Sequence, residues 1–197
     1  MDHIKLLAAY FVVLIHSLFP GNLGVAVKAV ARFAVPFFFL CSGFFLYGNK
    51  PESIMKKALH ILKLFLVTAV VYLVVSVALF TLQRDFAGLR DYLYSLIRPK
   101  AIVQFILFNE FAVAGHLWYM AAMFYVYILY YFIEKLNIPD MVTAICAIVL
   151  LVLHLVLWHI LLTCKITETT FFVRNFLLIG FPFVTIGRMM KKHLDQL

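Results

Sequence analysis

Lys5 and His16 interrupt an otherwise apolar opening run, MDHIKLLAAYFVVLIHSLF. An α-helix turns about 100° per residue, so positions eleven apart fall about 20° apart around the axis and about 16 Å apart along it. Asp2, three residues before Lys5, shares that face and is placed to pair with it. One stripe therefore carries an acid, a cation and an imidazole. An imidazole in apolar surroundings favours its neutral form, which accepts a proton from a hydroxyl and so serves as a general base. Each residue also has a plainer reading. Lys5 can be an anchor that snorkels toward lipid headgroups at a span end, and His16 a hydrogen-bonding group at the interface. Against the plainer reading of His16 stands the rarity of ionisable groups inside membrane helices, where they tend to face the bundle interior and mark sites.

The elements that position these residues follow from composition. The chain has 197 residues, 65% hydrophobic and 13% charged, with a mean hydropathy of +1.03. Soluble domains average about 45–50% apolar and about 25% charged. The chain therefore reads as an all-α, polytopic transmembrane helix bundle forming a single unit over residues 1–197. The net charge of +8 comes from basic residues beside apolar runs, where orientation and lipid phosphates account for them. Nucleic acid is not an expected partner; membrane lipid is. Cys41, Cys146 and Cys164 lie in or beside apolar runs without a C-x-x-C pair and read as small packing residues. The opening stretch reads as a retained helix, because Asp2 and His3 precede Lys5 and no small-residue cleavage site follows.

A span needs about 20 mostly apolar residues. Six are expected: Ile4 to Phe19, ending at Pro20-Gly21-Asn22; Val25 to Tyr47, kinked at Pro36; Ile61 to Leu82; His116 to Ile133; Met141 to Leu162; and Phe171 to Met190. Between the third and fourth, residues 83–115 are mixed, and the apolar piece AIVQFILFNEF suits an interfacial or re-entrant helix. The loop after the second span holds Lys50, Lys56, Lys57 and Lys63 against Glu52, and the tail holds Arg188, Lys191 and Lys192. The positive-inside rule puts both, and both termini, in the cytoplasm.

Other chemistries find little support. His154 and His159 are five apart, about 140° around a helix, and lack the Glu and spacing of a zinc-binding H-E-x-x-H. No metal is expected. There is no glycine-rich phosphate loop and no serine elbow. Pro36 with Cys41, Ser42 and Gly43 reads as a kink followed by small residues that allow close helix packing.

Four blocks in order resemble the acyltransferase family 3 membrane proteins, which include sugar and cell-wall O-acetyltransferases. That family has a basic residue, ten residues, then His in its first helix, as Lys5 and His16 do here. RFAVPFFFLCSGFFLYGNK, GHLWYMAAMFYVYILYYFI and RNFLLIGFPFVTIGRMMKK resemble its second-helix, Leu-Trp-Phe and Gly-Phe-Pro-Phe blocks. The chain departs from the pattern in having Lys for the usual first-helix Arg, losing the bidentate fork. His60 and Lys63 stand where many members have Arg-x-x-Arg. Members also usually have more spans than six, so the domain reads as partial.

The resemblance implies transfer of an acyl group, expected to be acetyl, from acyl-CoA to a hydroxyl of a carbohydrate or cell-wall component in a bacterial plasma membrane. Acetyl-CoA is then a co-substrate, and no permanently bound cofactor is expected. His16 would be the general base and His116 a second catalytic residue near the acceptor. Lys5, Asp2, His60 and Lys63 would bind on the donor side, and Trp118, Arg174 and Asn175 on the acceptor side. The alternatives are ordinary: a positive-inside surface for His60 and Lys63, an interfacial aromatic for Trp118, a helix anchor for Arg174. For the whole chain the alternative is a non-catalytic remnant or a membrane subunit that conveys acyl groups.

Overall fold

A computed structural model describes residues 2–16, 21–165 and 174–197; within the first helix the side chains of Asp2, Ile4, Lys5, Ile15 and His16 fall outside the described part. Among the described residues there are helices and turns and no strand. The helices are α1 (Asp2–His16), α2 (Gly21–Ala31), α3 (Ala34–Phe44), α4 (Pro51–Leu82), α5 (Phe86–Ile97), α6 (Pro99–Phe108), α7 (Trp118–Lys135), α8 (Asp140–Thr163) and α9 (Phe181–Asp195). A 3₁₀ turn, Gly115–Leu117, leads into α7, and a π-helical turn, Phe176–Gly180, leads into α9.

Among the described residues, four stretches are long and apolar enough to cross a membrane: Gly21–Phe44, Pro51–Leu82, Gly115–Lys135 and Asp140–Thr163. Their packing shows what surrounds them. On α4 only Ile54, Ala58, Phe65 and Ala69 are buried, a single stripe at helical spacing, while Val67, Val70, Val71, Val74 and Val75 are exposed. On α8 Thr143 and Ala147 are buried, and Ile148, Val149, Val152, Leu155 and Val156 face outward. Helices that bury one narrow stripe and expose long runs of aliphatic side chains are solvated by hydrocarbon. The protein is an integral membrane protein.

Several boundaries differ from those read off the sequence, each for a physical reason. The third span was expected from Ile61; α4 begins ten residues earlier, with Pro51 at its first turn and Glu52 beside it. Pro suits that position because its missing N–H is not needed there, and an acid favours a helix N-terminus. Lys56, Lys57, His60 and Lys63 therefore stand on a helix rather than in a loop. The second span breaks between Ala31 and Ala34 rather than at Pro36 itself. Pro36 has no N–H to give the Arg32 carbonyl four residues back and crowds it, so the break appears one turn upstream. The mixed segment folds as α5, whose Asp85 accepts a hydrogen bond from the Gly88 N–H at 2.8 Å, and the short α6. The final predicted span begins at Phe171, outside the described residues; from Phe176 it is helical and continues to Asp195.

The core centres on α7, which buries Ala121, Ala122, Met123, Val126, Tyr127, Tyr130 and Ile133 and packs on α4 and the π turn. α3 lies along α9, α9 meets α8, and α1 rests on α2 and α3. The α3–α9 crossing is set by two glycines. A Cβ at Gly43 would sit 2.0 Å from the Val184 carbonyl oxygen, and one at Gly187 2.0 Å from that of Leu40. Backbones meet because nothing stands between them, the small-residue packing expected of the second-span block.

Candidate active site

Arg188 organises one end of the bundle. It is 5% exposed and donates to Glu134, with Asp140 3.9 Å away, and its guanidinium lies over Tyr130 at 4.6 Å. Thr185 donates to the Phe181 carbonyl at 2.8 Å, so in the 2.5 Å contact between the two hydroxyls Tyr130 is the donor. Lys192 pairs with Asp140 at 2.6 Å. That bond holds the Lys192 ammonium above its ordinary value of 10.5, so as pH rises the lysine keeps its charge, and its side of the pair, into strong alkali. These contacts tie the α7–α8 turn to the C-terminal turns of α9.

The opposite end is held by Asn109, which is fully buried with φ 53° and caps α6. Its amide donates to the Trp118 carbonyl at 3.2 Å, and its carbonyl accepts from the Phe176 N–H at 2.8 Å. One side chain thus joins α6, the start of α7 and the π turn. Asn175 is also buried, and its carbonyl oxygen accepts from the N–H groups of Leu177 and Leu178, both at 2.9 Å. Asn109→Ala is expected to destabilise by about 2–4 kcal/mol, since it leaves the partly buried Phe176 N–H without its acceptor, removes the bond to the Trp118 carbonyl, and puts a Cβ-bearing residue without local hydrogen bonding at positive φ. Asn109→Gly keeps the conformation and loses only the bridge, so its melting temperature in detergent should fall less.

Beside this latch lies a cavity of about 860 Å³ between α1, the α2–α3 break, the start of α7, the far part of α8 and the π turn. Ala9 and Val12 of α1 line it. They fall between Lys5 and His16 in the series 5, 9, 12, 16, which keeps within about 60° around a helix. His116 and Trp118 also line it, with Tyr119 and Phe38 on the wall; His116 meets the Tyr72 ring at 4.7 Å. Arg174 is at the rim, and Lys28, Arg32, His154 and Trp158 complete the polar and aromatic surface.

Of the site residues read from the sequence, the structure brings together His116, Trp118 and Arg174. Asn175 is spent on capping, and His60 and Lys63 are exposed on α4, away from the cavity lining. Asp2, Lys5 and His16 belong to α1, but their side chains lie outside the described part. Sequence reasoning passed over Lys28 and Arg32, although a cation inside an apolar stretch is itself a signal. It weighed His154 only as a metal ligand. Among the described residues no group of three or more His, Cys, Asp or Glu could hold a metal ion.

The family model for an acyltransferase domain matches residues 1–197. No curated protein and no solved structure matches. A membrane bundle with an imidazole-bearing cavity, matched from end to end by that family model, belongs to the acyltransferase 3 family of membrane acyltransferases.

Proposed function

We propose that the chain moves an acyl group, acetyl in the first instance, from acyl-CoA to a hydroxyl of a carbohydrate or cell-wall component at the bacterial plasma membrane, in the cavity bounded by α1. The observation that carries this reading is the position of Ala9 and Val12 on the cavity wall: helical register puts His16 on the same stripe one turn beyond Val12. In the reaction the acceptor oxygen attacks the thioester carbonyl carbon as His16 takes its proton. The C–O bond forms, the C–S bond breaks, and the departing thiolate takes up the proton from the imidazolium. Lys5, about 16 Å back along α1, meets the phosphates of the donor, with its pantetheine arm running along the helix between them. His116 hydrogen-bonds the acceptor, and Trp118 offers a flat apolar face to a sugar ring.

The test is the purified chain in lipid nanodiscs with acetyl-CoA labelled in the acetyl group, following both thiol release and label on a hydroxyl-bearing glycan. Acceptor-dependent release of thiol is the expected result. Absence of both turnover and CoA binding would overturn the enzymatic reading in favour of a non-catalytic membrane subunit.

A further inference from the structure

Two residues that line the cavity also belong to the outer surface of the bundle: Ala9 of α1 and Leu155 of α8, the latter 60% exposed. The helices that carry them are packed elsewhere, α1 on α2 and α3, α8 on α9 and the π turn. The cavity therefore reaches the surface along the seam between α1 and α8. That surface is aliphatic, with Val13 exposed on α1 and Val152 and Val156 exposed on α8. Leu155 is 15 residues beyond Asp140, about 22 Å along α8. A helix crosses about 30 Å of hydrocarbon, so the seam opens at the depth of the lipid chains. Where α7 begins, the lining turns polar and aromatic, with His116, Trp118 and Tyr119. The volume, about 860 Å³, lies in the upper part of the range of about 300–1,000 Å³ that encloses small ligands.

Resting on the acyl-transfer reading above, we infer that the acceptor is an amphiphile of the bilayer: a sugar or other polyol carried on a hydrocarbon chain, the chain lying in the α1–α8 seam while the head group reaches His116 and Trp118. Drawing such a chain out of the bilayer costs free energy for every methylene exposed to water. An opening at hydrocarbon depth leaves the chain where it is and brings in only the head. A water-borne glycan gains nothing from that opening. The donor is not a candidate for it, since its phosphates are excluded from hydrocarbon and an acetyl group brings no chain. Acyl transfer then proceeds as above, on a hydroxyl of the head group.

The experiment places the full chain in nanodiscs that carry a monoglucosyl diacylglycerol with a diazirine in one acyl chain, or phosphatidylcholine with the same diazirine. Photolysis is carried out without acetyl-CoA, so that it reads the seam whether or not transfer occurs. At equal mole fraction the glucosyl lipid should label α1 around Ala9 and Val13 at least about 5-fold more than phosphatidylcholine does, and unlabelled glucosyl lipid should compete. Leu155→Trp narrows the opening and should lower that labelling at least about 10-fold, whereas Val156→Trp, beside it and outside the cavity lining, should leave it within twofold. In the transfer assay Leu155→Trp should lower the rate with the glucosyl lipid relative to that with methyl glucoside by a similar factor. Equal labelling by the two lipids overturns the inference, because the seam then holds ordinary bilayer lipid. Absence of labelling overturns it too, because protein then covers the seam. Transfer to methyl glucoside that is matched or exceeded nowhere by the glucosyl lipid defeats the amphiphilic acceptor and keeps the acyl-transfer reading. Selective labelling without any transfer upholds entry through the seam and defeats the acyl-transfer reading instead.

Discussion

Replacing His16 by alanine is expected to lower acyl transfer by about 10²–10⁴-fold, the range a positioned general base contributes, with KM for acetyl-CoA little changed. An alcohol is a poor nucleophile until its proton has somewhere to go. Ala9 and Val12 of α1 line the cavity, and the proposed role of His16 rests on its following them at helical spacing. The competing role for His16, a hydrogen bond at the membrane interface, is separated by His16→Gln. Glutamine keeps hydrogen-bonding groups and cannot accept the proton, so it should be as inactive as alanine. Recovery of activity in His16→Gln would show that the imidazole serves only as a hydrogen-bonding group. Melting curves of both variants, measured beside the rates, separate loss of chemistry from loss of fold.

Gly187→Val is expected to cost more than about 3 kcal/mol and to abolish the folded protein at ordinary temperatures. Overpacking costs about 1–3 kcal/mol where side chains can shift. Here the obstacle is backbone: a Cβ at Gly187 meets the Leu40 carbonyl oxygen at 2.0 Å and the Phe44 nitrogen at 2.9 Å. Separating α3 from α9 also displaces Thr185 from Tyr130 and Arg188 from Glu134, and breaking a buried ion pair is itself costly. A graded series makes the argument testable by fluorescence-detected size exclusion and thermal denaturation. Gly180→Ala meets the side-chain ends of Val126 at 2.8 Å and Phe39 at 3.1 Å, which can yield, and should cost less. Gly115→Ala meets nothing within 4 Å and should be close to neutral. If Gly187→Val melts near Gly115→Ala, the crossing does not depend on backbone contact.

Much of this bundle is legible in its apolar runs because hydrocarbon, as the solvent, demands a helix wherever the backbone is exposed to it. The apolar heart of the α4, α7 and α8 spans follows directly, and the small residues of the Ser42-Gly43 block announce a close crossing. Boundaries are less legible where charge and helix propensity disagree. Lys56, Lys57 and Lys63 look like a loop by hydropathy, yet Pro51 starts the helix before them. The candidate site was half legible. His116, Trp118 and Arg174 stand out as polar or amphipathic residues at span ends, and the cavity joins them. Arg32 and His154 were hidden because helical register alone does not say which neighbour a face meets. Asn109 was missed for a similar reason: an Asn after an apolar run signals a helix C-cap, but its bonds to Trp118 and Phe176 cross 9 and 67 residues of chain.

Acyl transfer is proposed to take place in the cavity walled by α1. Val12 lines it, while its neighbour Val13 is 62% exposed on the outer apolar surface. The initial rate of acetyl transfer in Val12→Trp and Val13→Trp, each normalised to folded protein, compares a residue that fills the cavity with one that faces lipid. Val12→Trp is expected to lose at least about 10²-fold and Val13→Trp to keep the wild-type rate. Equal rates in the two variants would place the reaction elsewhere.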